Sequence, residues 1–346
     1  MPSNTRLWAW LAGAGALACA LAATTLAWRG QLASATATPA QTEASVCALP
    51  AGTGMAAAPG MVWVPGGRFT MGDSVYPEER PAGPTRVNGF WMDRTEVTND
   101  QFAEFVEATG YITTAERRLD AARHPGMPAE LLQPGALVFS PPASLPARAD
   151  ANDWWRYVPG AHWRQPGGPG TSITGRGGFP VVAVSHQDAQ AYARWKGRQL
   201  PSEAQWEWAA RAARDEAMPS HEQPAQANTW QGPFPLRNAR EDGFAGLAPV
   251  GCFAPNALGL FDMIGNVWEL TRDVYTARHG DQPAPGQPLR HSGGSARVIK
   301  GGSFLCSADY CMRYRAGARQ PQDDDLGTSH VGFRTVLEAP GPERQP

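Results

Sequence analysis

An α+β domain with little regular secondary structure is predicted, and three observations carry that prediction. Gly (38) and Pro (32) are abundant among the 346 residues, which breaks long elements into loops and turns. Apolar alternation comes in runs of a few residues only, as short strands require. Three Ser/Thr capping boxes each open a stretch with apolar residues at three- and four-residue intervals, as short helices packed by one face require. Hydrophobic (42%) and charged (18%) fractions are those of a folded globular chain. A formal charge of −2 gives no general attraction for nucleic acid or anionic membrane, so binding must come from local sites.

At the N-terminus, Arg6 precedes an uncharged run from Leu7 to Trp28, followed by small-residue cleavage sites around Ala33, Ala35 and Ala37. Residues 1–35 therefore read as a secretory signal or a signal anchor, with a run about long enough to span a bilayer. An exported protein is expected, periplasmic or secreted, touching a membrane only through that segment. Cys19 is a poor match to a lipoprotein box, so lipidation is discounted. Residues 36–59, rich in Ala, Thr and Pro, read as a flexible tether. The body follows over residues 60–337, and residues 338–346 read as a disordered tail. Cys47 in the tether and Cys252 in the body are free to pair, although nothing in the sequence requires it.

The body opens with VPGGRFTMG at 64–72, alternation broken by Pro-Gly-Gly, which predicts a short hairpin. Phe90–Asp93 continues in the same style. Helices are predicted after Thr98, Ser185 and Ser202, each with a Gln or Asp three residues on; Gly110 and Gly197 stop the first two. Residues 117–150 and 214–226 lack periodicity and read as loops or insertions. No internal repeat is evident.

The sharpest chemical feature is GGSFLCSADYCMRYR at 301–315, with Cys306 and Cys311 amid hydroxyls and arginines. From the residues alone, this pair reads either as a local disulfide of an exported protein or as a soft-metal site. Zinc lacks further Cys or His ligands at suitable spacing, whereas two thiolates suit Cu(I). Arg313 and Arg315 would favour ionised thiols if they point inward. Asp262, Asn266 and Glu269 offer oxygens of the kind calcium accepts, although their spacing alone favours a capped turn. The polar turns ANTWQG at 227–232 and EDGF at 241–244 are open to the same two readings. Trp154, Trp155 and Trp163 suggest either a binding groove or core. His186, at a helix start, reads as a surface or capping-region residue. No G-x-S-x-G, P-loop or dinucleotide fingerprint is present, so hydrolase, NTPase and nicotinamide chemistries lack motif support.

Taken together, VPGGRFTMG (64–72), RQLPSEAQWE (198–207), ANTWQG (227–232), GNVWE (265–269), GGSF (301–304) and GFR (332–334) resemble the formylglycine-generating enzyme (sulfatase-modifying factor) family. The resemblance spans about Met61 to Arg334. Several of these strings recur across the wider superfamily. SFLC at 303–306 with Tyr310-Cys311, and EDGF at 241–244, point to its catalytically competent branch.

The resemblance implies a single compact domain with the family's C-type-lectin-like fold. It implies that Cys306 and Cys311 are the active thiols and hold Cu(I), that Ser303 and Tyr310 orient substrate or oxygen, and that Trp268 lines the pocket. It further implies two calcium sites. Asn228, Thr229, Asp242 and Phe244 would form one, and Asp262, Gly265, Val267 and Glu269 the other; Thr229, Phe244, Gly265 and Val267 would act through carbonyls. The implied activity is oxidation, with O2 as co-substrate, of the cysteine in an unfolded sulfatase Cys-x-Pro-x-Arg segment to Cα-formylglycine. A monomer is favoured. This chain departs from the family pattern in having Ala316 and Thr335 where animal members have structural cysteines. Ser307 also stands where some members have His, and His330 where Asn is frequent. The alternatives are a peptide- or glycan-binding module of the same fold, and an exported superfamily oxidase with another substrate.

Overall fold

The computed structural model describes residues 47, 58–122, 124, 126–146, 150, 153–215, 224, 226–279 and 296–338. The predicted signal or anchor lies outside them, as does most of 214–226. Among the described residues, no helix is long and apolar enough to cross a membrane.

The first four strands are β1 (Met61–Val64), β2 (Gly67–Thr70), β3 (Pro84–Val87) and β4 (Phe90–Asp93). β5 (Gly135–Phe139), β6 (Trp155–Pro159), β7 (Trp268–Val274) and β8 (Ala296–Lys300) follow. The last three are β9 (Gln320–Asp323), β10 (Val331–Gly332) and β11 (Val336–Glu338). They form a three-stranded sheet β1-β4-β11, a four-stranded sheet β10-β7-β8-β9, and the pairs β2-β3 and β5-β6. β1 and β11 both pair antiparallel with β4, so the two ends of the body meet in one sheet.

Each capping box forms as read. Thr98, Ser185 and Ser202 open α1 (Asn99–Thr109), α2 (His186–Trp195) and α3 (Glu203–Ala210). Their hydroxyls accept from the Gln101, Asp188 and Gln205 amides at 3.3, 3.3 and 3.0 Å, and those side chains accept in return from the cap amides. Gly110, in the left-handed region at φ 66°, ends α1.

Four local readings give way to tertiary context. The Pro-Gly-Gly segment makes no hairpin: β1 pairs with β4, whereas β2 pairs with β3. It is a crossing between sheets, and a side chain at Gly67 would lie 2.3 Å from Trp208. Residues 117–150 are not loop throughout, because β5 lies among them and pairs with β6. α3 is buried on nearly every side rather than one, its Glu203 and Glu207 being compensated by Arg319 and Lys300 at 2.9 and 3.1 Å. His186 is no surface residue. It is 2% exposed, and burial, reinforced by Arg297, pushes its pKa down to about 4.

Among the described residues, the two largest of four apolar clusters organise the body. One gathers β1, β2 and β4 around Trp206 and Trp208 of α3. The other gathers Phe102, Phe105, Tyr192, Trp163, Trp268 and Phe333, and includes Cys306 and Cys311.

Candidate active site

β8 delivers the chain into Gly301 and Gly302, both left-handed at φ 95° and 73°. A Cβ on Gly302 would come within 2.9 Å of the Tyr314 backbone, so only glycine lets 303–306 fold back against 313–314. Two tight turns follow, with the Cys306 amide on the Ser303 carbonyl (2.9 Å) and the Cys311 amide on the Ser307 carbonyl (3.0 Å). They bring the sulfurs to 2.9 Å. A disulfide would hold them at about 2.0 Å. Both thiols are free and buried.

Cys306, Cys311, Ser303, Tyr310 and Trp268, all singled out in the sequence, line one cavity of about 210 Å³. Ser303 and Trp268 are buried, while Tyr310 is 45% exposed. The Tyr310 ring stacks on Phe234 at 3.9 Å and meets Trp154 edge-on at 5.7 Å. Trp155 and Phe234 complete the aromatic wall. Trp155 is therefore the groove residue of the three tryptophans; Trp154 backs the wall and Trp163 belongs to the core.

Electrostatically the thiols differ. Burial pushes Cys306 well up, reinforced by Cys311. Cys311 is held below the ordinary thiol value, first by the hydrogen bond from Cys306 and then by Arg313. Of the two, Cys311 is therefore the one that gives up its proton more readily. Of the two arginines, Arg313 lines the cavity, seated 3.9 Å over the Tyr76 ring with a 2.5 Å bond to Glu78. Arg315 is turned away into Asp73 and Glu79. His330 also lines the cavity, its ring 4.6 Å from Trp155, and burial pushes its pKa down to about 3. Phe234 carried no signal in the sequence, because a loop phenylalanine reads the same wherever it lies.

The two oxygen-rich sets behave differently. In the first, Asp242 accepts from the Thr229 and Phe244 amides at 3.1 and 2.9 Å, which gathers Thr229, Asp242 and Phe244 into one turn. Asn228 joins them with its Oδ1 buried and without a hydrogen-bond partner. In the second, Glu269 is held fork-to-fork by Arg334 at 2.7 and 2.7 Å and takes a further bond from Trp206 at 2.8 Å. Asp262 accepts from the Gly251 amide at 2.6 Å, and the Gly265 amide bonds the Gly301 carbonyl. Val267 is buried.

Residues 48–339 match the sulfatase-modifying factor enzyme 1-like domain model. The chain belongs to the formylglycine-generating enzyme family. It is 47% identical over 291 residues to the "Formylglycine-generating enzyme" of Mycobacterium tuberculosis, covering 80% of this chain and 97% of that one. The mouse protein of the same name is 40% identical, with 80% and 75% covered. A mouse relative named "Inactive C-alpha-formylglycine-generating enzyme 2" is 38% identical, with 84% and 89% covered, so identity alone does not separate active from inactive members. Among solved structures, PvdO from Pseudomonas aeruginosa shares the fold at TM-score 0.51 and 22% identity, with 81% and 94% covered. The member of the formylglycine-generating enzyme family described here therefore has to be read at its thiol pair.

Proposed function

We propose that the protein is a formylglycine-generating oxidase that converts the cysteine of a sulfatase Cys-x-Pro-x-Arg segment to Cα-formylglycine. The observation that carries this reading is the free pair Cys306 and Cys311, 2.9 Å apart in a cavity that opens beside Tyr310. Family membership supports the sulfatase substrate.

Two soft sulfurs, with no third protein ligand at hand among the described residues, fit Cu(I) and leave its coordination incomplete. Bound there, Cu(I) would supply an acceptor for the substrate sulfur and the one-electron chemistry that activates O2. The protein's own groups do the rest. Arg313 keeps negative charge favourable at Cys311, while the wall of Trp155, Phe234 and Tyr310 keeps bulk water from the sulfurs. Ser303 and Tyr310 bring hydroxyls to the cavity for orienting the substrate, and Trp268 packs its floor. The overall change consumes one O2 and two reducing equivalents from an external thiol. The substrate cysteine's thiol-bearing methylene becomes an aldehyde, and hydrogen sulfide and water leave.

Calcium is proposed at Asn228, Thr229, Asp242 and Phe244, where the orphaned Asn228 oxygen fits a cation. A cation at the second set would need Glu269 to share its oxygens with Arg334. Export is proposed as well, supported by the Cys47–Cys252 disulfide, a bond that persists in oxidising compartments.

Mass spectrometry of a synthetic Cys-x-Pro-x-Arg peptide tests the activity, with Cu(I), calcium, thiol reductant and O2 present. Aldehyde formation by the wild type, absent in Cys306→Ala, is expected. No aldehyde from copper-loaded protein would redirect the proposal to another substrate, and failure to take up copper would favour a binding module.

A further inference from the structure

Beside the four residues of the first calcium set stands a fifth group, Gln231, which belongs to the polar turn read from the sequence but was not assigned there as a ligand. Gln231 Nε2 lies 2.5 Å from the Thr229 carbonyl and 2.9 Å from Asp242 Oδ2, so it donates to two of the oxygens assigned to the cation. Its own Oε1 is buried without a hydrogen-bond partner, as is Asn228 Oδ1. Asn228 is 1% exposed, and its Nδ2 is already committed to the Gly246 carbonyl and Asn266 Oδ1 at 2.8 and 3.0 Å. Two buried amide oxygens are thus left over, one of them on the amide whose NH2 ties a carbonyl to a carboxylate. Buried acceptors without partners are costly, and a fold that leaves two of them three residues apart in the chain has a use for them.

We propose that Gln231 is a ligand of this cation site, resting on the reading that the first set binds calcium. Its NH2 bridges Thr229 and Asp242. When the cation enters, the amide turns about its terminal torsion and presents Oε1. That torsion is broad and roughly two-fold, so the exchange of nitrogen for oxygen needs no backbone movement. The turn is obligatory, since an N–H donor cannot face a cation. With it the set becomes five protein oxygens carrying one formal charge, Asp242. Water completes the six to eight ligands that calcium takes, and a single carboxylate gives a site of modest affinity.

The consequence reaches the thiols through the backbone. The Trp230 amide, between Thr229 and Gln231, donates to the Cys306 carbonyl at 2.9 Å, and the Phe304 amide donates to the Asn266 carbonyl at 2.9 Å. A cation that orders 228–231 therefore steadies the turn that presents Cys306.

Calorimetric calcium titration and thermal melts in calcium or in chelator test this on wild type, Gln231→Glu and Gln231→Leu. Wild type is expected to bind calcium and to melt higher with it. Gln231→Glu sets a second carboxylate beside Asp242, so it should melt below wild type in chelator. In calcium it should recover, binding roughly tenfold more tightly because a charged oxygen replaces a neutral one. Gln231→Leu should bind roughly tenfold more weakly. A residue that merely locks the loop would lower both melts alike and leave affinity unchanged; unchanged affinity in both variants, with wild type binding, overturns the proposal for Gln231. If wild type itself takes up no calcium, the reading of the first set falls and the proposal with it.

Discussion

Cys47 and Cys252 stand 205 residues apart in sequence and are joined; Cys306 and Cys311 stand five apart and are not. Sequence distance therefore says little about which sulfurs bond. The joined pair brings its Cα atoms to 5.1 Å and ties the chain before the body to a loop of the body. The free pair sits among Trp268, Tyr314 and Phe333 at a cavity, and its two thiols differ in their affinity for a proton. One pair holds the chain, and the other stands free at a cavity. Four experiments break or sharpen that contrast.

The largest effect is expected at the free pair. Cys306→Ala or Cys311→Ala should cut aldehyde formation at least about a thousandfold, roughly 4 kcal/mol at the barrier, with little change in the melting temperature. Residual turnover within tenfold of wild type would mean the pair is not the reactive centre.

Next comes the joined pair. Replacing Cys47 and Cys252 together with Ser should cost about 2–4 kcal/mol of stability and lower the melting temperature by roughly 5–12 °C. Turnover at 25 °C should persist. Lost activity with an unchanged melt would show instead that the distant bond shapes the cavity.

A smaller effect appears in acid. His186 has a folded pKa of about 4 against an ordinary 6.5, so the unfolded chain binds its proton first. Its contribution leaves stability unaffected above about pH 6.5 and lowers it as pH falls from there toward 4, by at most about 1.4 kcal/mol per pH unit. Chemical denaturation across that range should show the slope. His186→Gln should lessen the slope and leave the share that His330, also depressed, contributes; the double Ser variant, which changes no titrating group of the fold, should keep it whole.

The smallest is a difference in rate within the free pair. In metal-free protein at neutral pH, iodoacetamide should modify Cys311 several-fold faster than Cys306, because Cys311 is the more ionised and the more exposed. Arg313→Met should narrow the gap. Peptide mapping reads both sites, and it should find Cys47 and Cys252 alkylated only after reduction.

Legibility varies with the range of the interaction behind each feature. The three capping boxes are readable because each is closed within three residues, between a hydroxyl and an amide on the same turn. The Pro-Gly-Gly crossing is not, because the same local string serves a hairpin or a change of sheet, and only β3 and β4 decide which. β5 is hidden because five residues are too few for alternation to rise above an irregular surround. His186 stands at the helix start as read, but it is not on the surface, because its burial comes from the elements packed over α2 and not from its neighbours in sequence. At the site, the cysteines, Ser303, Tyr310 and Trp268 are visible as residue types in a family pattern. Phe234 and Gln231 acquire roles only through what they face.

By itself, then, the sequence determined the class of fold, the three helix starts, the family and the pair of thiols on which the chemistry is proposed to turn. Each depends on residues close in the chain or on strings long enough to be specific. Tertiary structure alone decided that Cys47 meets Cys252, that Arg313 and not Arg315 faces the thiols, and that Glu269 is committed to Arg334. Those are choices among chemically similar partners far apart in sequence. What selects one of them is distance and burial, which a linear order of residues does not contain.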